Sequence, residues 1–270
     1  MIGDRPGAMT PAMTPAAGRT CSLPFRVRFD EAGPDGLLRT SSLLRYAQDL
    51  ASFHSAALGF DRAWYAERGL AWLARAAVVA VVAPIVHGTA LSGRTQVVGE
   101  RRVWARRRTE FVDSADRLVA WTHVDWVLLD RRGAPTRIPP AFDVAFGTPK
   151  ADFPLGRVAL EAAPGSAARL EFRVRPQELD PMDHVNNAVY ADWIDEAVGA
   201  AGGIAAIRAI PRVTRLEYAR SAGPAAGLRS EAWQDDDGWS YRVSEQDGAE
   251  LLRARLEAGP VELADEGLIG

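Results

Sequence analysis

A single cysteine, Cys21, occurs in 270 residues. It falls in a Pro/Ala/Thr-rich leader, so neither a disulfide framework nor a thiolate nucleophile within a folded core is expected. That scarcity fits a reducing, cytoplasmic setting. Long apolar runs are also missing: the most apolar stretch, Ala76 to Val86, is too short to span a bilayer and suits a buried strand. The opening twenty residues lack an apolar core between a basic flank and a cleavage site, so residues 1–22 read as a disordered leader rather than a signal peptide. The net charge of −3 gives no global attraction to nucleic acid or to an anionic membrane. There is no Gly-rich phosphate loop, no Gly-x-Ser-x-Gly elbow and no dinucleotide fingerprint, which removes nucleotide hydrolysis, serine hydrolase chemistry and dinucleotide redox. His54 has no second His or carboxylate at a metal-ligand spacing and reads as a buried structural histidine, so neither metal nor cofactor is expected.

What is present is one pattern used twice. Leu23 to Phe29 alternates Phe25, Val27 and Phe29 against Arg26 and Arg28, the period of a strand with one buried face. After a turn at Ala32–Gly36, Thr40, Ser41 and Ser42 offer N-cap oxygens to a helix with an apolar line of Leu43, Ala47, Leu50, His54 and Leu58, closing at Gly59. Only strands are expected beyond it: Leu70–Ala83, Thr95–Ala105, Arg107–Val112 and Leu118–Leu129. The second half repeats this order, with a strand at Arg169–Arg175 and a helix after Asn186–Asn187 whose stripe is Val189, Trp193, Ala197 and Ala200, closed by Gly202–Gly203. Strands follow at Val213–Arg220, Leu228–Gln234, Trp239–Glu245 and Glu250–Glu257.

One strand, one long helix and an antiparallel meander is the element order of a hot-dog domain, in which a sheet wraps a central helix. The expected fold is therefore α+β, a tandem or double hot-dog. Residues 23–134 form the first copy, 135–166 a Pro/Ala/Gly-rich linker and 167–270 the second copy. Fusion provides the pairing that single hot-dog domains need, so a monomer or homodimer is expected.

The segment Leu179-Asp180-Pro181-Met182-Asp183-His184-Val185-Asn186-Asn187, followed by Tyr190 and Trp193, joins strand to helix. A carboxylate, an imidazole and two amides thereby meet the free N–H groups of a helix start, which favour a developing oxyanion. Asp180 is the candidate base or nucleophile, His184 its neighbour, and N–H groups near Asn187 the oxyanion donors. Asn186 and Asn187 also suit the N-cap, while Tyr190 and Trp193 suit the core.

This segment resembles the signature of plant and bacterial acyl-carrier-protein thioesterases. The resemblance extends to Val27-Arg28 through Asp35, His54 to Phe60, Leu70-Ala71-Trp72-Leu73, Trp126-Val127-Leu128 and Leu216-Glu217-Tyr218-Ala219-Arg220. It implies hydrolysis of fatty-acyl thioesters of acyl carrier protein or coenzyme A. The family's Asn two places after the Asp is Met182 here, and its Glu-Cys pair is Ser221-Ala222. Asn186, Met182, Ser221 and Trp72 are the expected substrate contacts. Single-domain acyl-CoA thioesterases, in which an Asp four residues before the His acts alone, offer a second comparison that Asp180 fits by spacing. The first copy sets Asp35 to Ser42 against Asp180 to Asn187, without the His or either Asn, and is expected to form the pocket only. Arg101–Arg102 and Arg106–Arg108 read either as a docking patch for an acidic carrier or coenzyme phosphates, or as a solvated strand face. Two other functions compete: a non-catalytic acyl-thioester binder, and a hydratase, whose Asp/His spacing and Asn-Pro are absent.

Overall fold

The computed structural model describes residues 19–148, 150–151 and 153–259; most of the expected leader and the last eleven residues lie outside the described residues. The elements run β1 (Thr20–Arg26), α1 (Thr40–Ala57), α2 (Arg62–Arg68), β2 (Ala71–Val81), β3 (Ala90–Arg101), β4 (Trp104–Val112), β5 (Leu118–Leu129) and α3 (Pro140–Phe146). The second half holds β6 (Ala168–Arg173), α4 (Val189–Ala200), α5 (Ile204–Arg208), β7 (Arg212–Tyr218), β8 (Gly227–Asp235), β9 (Gly238–Glu245) and β10 (Glu250–Ala258). All ten strands form one antiparallel sheet in the order β1-β3-β4-β5-β2-β7-β10-β9-β8-β6. This is one five-strand arrangement used twice, because β6 to β10 are ordered among themselves as β1 to β5 are. The copies join where β2 pairs with β7, Ala77 opposite Leu216, and this central position explains why the Val/Ala-rich β2 is buried along its second half.

The repeat is exact down to hydrogen bonds. Gly33 N–H donates to the Leu37 carbonyl as Asp180 N–H does to His184, and Arg39 N–H donates to Glu31 as Asn186 N–H does to Glu178. The Tyr46 hydroxyl donates to the Glu31 carboxylate where the Trp193 indole N–H donates to Glu178 at 3.2 Å. Equivalent positions are thus 147 residues apart, as are Arg45 and Asp192, which join α1 to α4 in a 2.7 Å ion pair. Asp35 consequently stands opposite Met182, and the residue opposite Asp180 is Gly33. The alignment of Asp35 with Asp180 expected from sequence is two residues out of step.

Other expectations are also corrected. Cys21 is not in a leader: it pairs with Thr95 in β1 and is buried, which pushes its thiol up from the ordinary range. Phe29 leaves the strand for a 3-10 turn and is 85% exposed. Thr40, Ser41 and Ser42 lie buried within the first turn of α1, whose N-cap is Arg39 with no side-chain bond. Three short helices were not foreseen: α2, capped by Asp61 accepting from Trp64 N–H at 2.8 Å, α5 after Gly202–Gly203, and α3. The Pro-rich 135–166 segment contains α3, whose Phe142 and Phe146 stack with Phe60 in a satellite core.

The arginine run on β4 is neither a docking patch nor a solvated face. Arg106 makes a bidentate pair with Asp125 at 2.6 and 2.8 Å, Arg107 is buried, and Arg108 pairs with buried Glu110 at 2.7 Å. Charges reach both faces here because 153–158 folds over the outer one: Gly156 N–H donates to Asp125, Arg106 to the Pro154 carbonyl, and Val158 N–H to Glu217.

Candidate active site

The segment leading into α4 begins as a tight hairpin, Leu179 bridged to Val185. Asp183 takes a positive φ of 62° at its tip, where the first copy has Gly36. The Asp180 carboxylate accepts the Met182 N–H at 2.8 Å, and His184 Nδ1 lies 3.6 Å from the same oxygen. The two side chains are 17% and 34% exposed, so both remain open to water. Met182 points outward at 54% exposure. Val185 N–H donates to the Ala222 carbonyl, which lays this hairpin beside Ser221-Ala222.

Asn186 turns the chain into the helix: its side-chain oxygen accepts from Ala188 N–H, its carbonyl from Val189 N–H, and its amide donates to Gln48 of α1 at 3.2 Å. The assigned N-cap is Ala188, so Asn186 serves the helix entry two residues early. Asn187 is held differently. The Tyr218 hydroxyl donates to its carbonyl at 3.0 Å. Its side-chain amide has no hydrogen-bond partner among the described residues. Tyr218 is anchored edge-on to Tyr190, whose oxygen accepts from Ala222 N–H at 3.1 Å. Burial pushes the Tyr190 phenol up to about 12 and Tyr218 higher still, so both remain protonated at neutral pH.

Two cavities meet at Asn187, Ala74 and Tyr218. One runs between α1 and the first-half strands and is walled by Leu44, Ala47, Ala51, Ala77 and Val124. The other is polar at its rim, with Arg75, Tyr190, Arg220 and Ser221; Arg75 is fixed by donating to the Ala219 carbonyl at 2.7 Å. Of the expected site residues, Asn187 and Ser221 come together here. Asp180 and His184 are paired next door, lining neither cavity. Trp72 lies elsewhere, donating to the Tyr65 hydroxyl and packed edge-on to Phe142 in the satellite core. Gln48 was not singled out from sequence; Arg75 and Tyr218 entered only through the family likeness, and Arg107 only as part of the Arg106–Arg108 run. For Arg107 a signal existed, because it shares strand parity with Phe111 on the core side of β4. Among the described residues no three His, Cys, Asp or Glu side chains converge as a metal site.

Further along α4, burial raises the Asp195 carboxyl to about 7, with Asp192 adding to the shift and Arg212 opposing it. A carboxyl whose folded value exceeds its unfolded one favours folding while neutral. This contribution is complete below about pH 4, fades as pH rises towards 7 and is absent above it. Asp195→Asn is therefore expected to match the wild type near pH 4.5 and to exceed it at pH 8 by on the order of 2–4 kcal/mol. Urea midpoints at the two pH values check this, and an equal difference at both would remove Asp195 as the cause.

The N-terminal-domain model of acyl-ACP thioesterases matches residues 18–142, and the C-terminal-domain model matches residues 161–254. A search of curated protein sequences finds no match. Among solved structures, a protein described as an oleoyl thioesterase from Lactobacillus plantarum superposes with a TM-score of 0.79 at 17% identity, covering 90% of this chain and 97% of that one. A 12:0-ACP thioesterase from Umbellularia californica gives 0.74 at 22% identity over 90% and 98%. An acyl-ACP thioesterase from Bacteroides thetaiotaomicron gives 0.75 at 14% over 88% and 97%. These neighbours share the double hot-dog fold. Among the described residues no helix is long and apolar enough to cross a membrane. With both halves matched in order by the two family models, the chain belongs to the acyl-ACP thioesterase family, whose chemistry is acyl-thioester hydrolysis.

Proposed function

We propose that the protein hydrolyses fatty-acyl thioesters of acyl carrier protein, or of coenzyme A, to free acid. The first copy houses the acyl chain and the second carries the reactive segment. The observation that carries this reading is Asn187 at the junction of an apolar and a polar-rimmed cavity. An acyl chain in the first and a carrier arm in the second bring the thioester carbonyl beside the Asn187 amide, a donor for the oxyanion. Asp180, set back from both cavity walls with His184 beside it, is better placed to activate a water than to attack the carbonyl. The water oxygen bonds to the acyl carbon as its proton passes to Asp180; the C–S bond then breaks, and the leaving thiolate takes that proton from Asp180.

Free-thiol release from matched panels of acyl carrier protein and coenzyme A thioesters tests the reading and ranks the carriers. A second reading, a non-catalytic acyl binder, draws support from the absence of Asp180 and His184 from the cavity walls and from Met182 and Ser221 at departures from the family pattern. Stoichiometric retention of acyl groups without thiol release would select it. Asn187→Ala is expected to lower kcat roughly 10²-fold with little change in KM, since the lost donor acts in the transition state. An unchanged kcat would leave Asn187 with a structural role.

A further inference from the structure

The apolar cavity contains one charge. Arg107 projects from β4 into it and is buried. Nη1 contacts His54 Nδ1 at 3.0 Å and Thr95 Oγ1 at 3.4 Å, and the guanidinium lies 5.6 Å from the centre of the Phe146 ring. Among the described residues, Nε and Nη2 have no hydrogen-bond partner, and no carboxylate pairs with the group. Burial accordingly lowers its pKa to about 10. A buried cation without a counter-charge is costly, and the flanking Arg106 and Arg108 each have an acid of their own. Sequence parity alone does not require an arginine here: apart from Gln48, Thr109, Trp126, Asn187 and Tyr218, the other walls of this cavity are alanine, leucine and valine.

Arg107 also lies far from the reaction centre. It is opposite Val124 on β5, which is opposite Ala77 on β2, which is opposite Leu216 on β7. Tyr218, on that last strand, holds Asn187. Three strand spacings separate the two ends of the cavity, roughly 14 Å.

We propose that the cavity takes an acyl chain whose far end carries a carboxylate, received by Nε and Nη2 of Arg107, so that the substrate class is the monothioester of a dicarboxylic acid. This deepens the thioesterase reading and rests on the same cavity. A guanidinium offers paired N–H donors matched to two carboxylate oxygens, and desolvation strengthens that pairing. A methyl end would leave the cation uncompensated.

The test is binding of non-hydrolysable pantetheine thioethers, matched in chain length and ending in methyl, hydroxyl or carboxylate, followed by calorimetry. The wild type is expected to bind the carboxylate end roughly 30- to 100-fold more tightly than the methyl end, a gain in the range of a charge-assisted bond. Arg107→Met, checked for folding by circular dichroism, should abolish or reverse that ratio. Equal or tighter wild-type binding of the methyl end overturns the proposal, as does a preference for the hydroxyl. Because the probes cannot react, the wild-type ratio decides the matter even if the variant fails to fold. Failure of the thioesterase reading shows separately, as absence of thiol release from every reactive substrate.

Discussion

Asp180→Asn is expected to reduce kcat/KM by roughly 10³-fold or more, within the range attributed to a positioned general base, while leaving the melting temperature nearly unchanged. The separation of the two effects follows from local geometry. The carboxylate oxygen that accepts Met182 N–H at 2.8 Å has an amide equivalent, so the hairpin that leads into α4 keeps its internal bond. What asparagine cannot do is take a proton. Asp180→Ala, by contrast, removes both functions and should also loosen the hairpin. Steady-state thiol release from the best carrier found in the panel, with thermal denaturation alongside, reads both quantities. Full turnover in the asparagine variant would falsify the assignment of Asp180 and return attention to the groups that line the polar-rimmed cavity.

The largest stability effect is expected at Asp125. Its carboxylate is nearly inaccessible, receives two bonds from Arg106 and a third from Gly156 N–H at 3.0 Å, and so ties β5, β4 and the 153–158 strap together. Asp125→Ala leaves a guanidinium buried without its main counter-charge and frees the strap, at a cost of about 3–5 kcal/mol. For a chain of this size that corresponds to a fall in melting temperature of roughly 8–15 °C. Arg106→Met combined with Asp125→Leu should recover much of the loss, since an apolar pair of similar volume avoids the buried charge altogether. A single variant within about 1 kcal/mol of the wild type would show that the pair contributes little to stability.

The repeated architecture was legible because its signals are local. Alternation in β1 and β6, the apolar stripes of α1 and α4, and the glycines that close those helices each lie within a few residues of one another. The second-half strands fall within two residues of expectation for the same reason. Misreadings arose where distant chain segments decide the outcome. The arginines of β4 look solvated until the 153–158 strap is laid over them, and Cys21 looks like leader until β1 extends back to Thr20 and sets it opposite Thr95 of β3. The helix α3 was hidden by the prolines of its segment, although Pro140 sits at the start of the helix, where the missing N–H does no harm. In the candidate site, the motif was legible as a turn bearing Asp180 and His184 ahead of Asn187 and the helix, while Trp72 was chosen from a likeness in a strand whose side chain turns to the satellite core. The half-to-half alignment failed by two residues because Asp35, the carboxylate nearest the helix start, attracted the match. The bonds of the backbone, not the similarity of side chains, fix Gly33 opposite Asp180.

The β2–β7 seam sets what a mutation can do. In an assembly of two identical chains every substitution is installed twice, once at each symmetry-related hairpin, and neither can drift without the other. Here the two hairpins are separate stretches of one polypeptide. One could exchange its carboxylate and imidazole for Gly33 and Leu37 while its counterpart retained Asp180 and His184. The molecule is in effect a heterodimer inherited as a single unit, whose two hairpins are free to diverge.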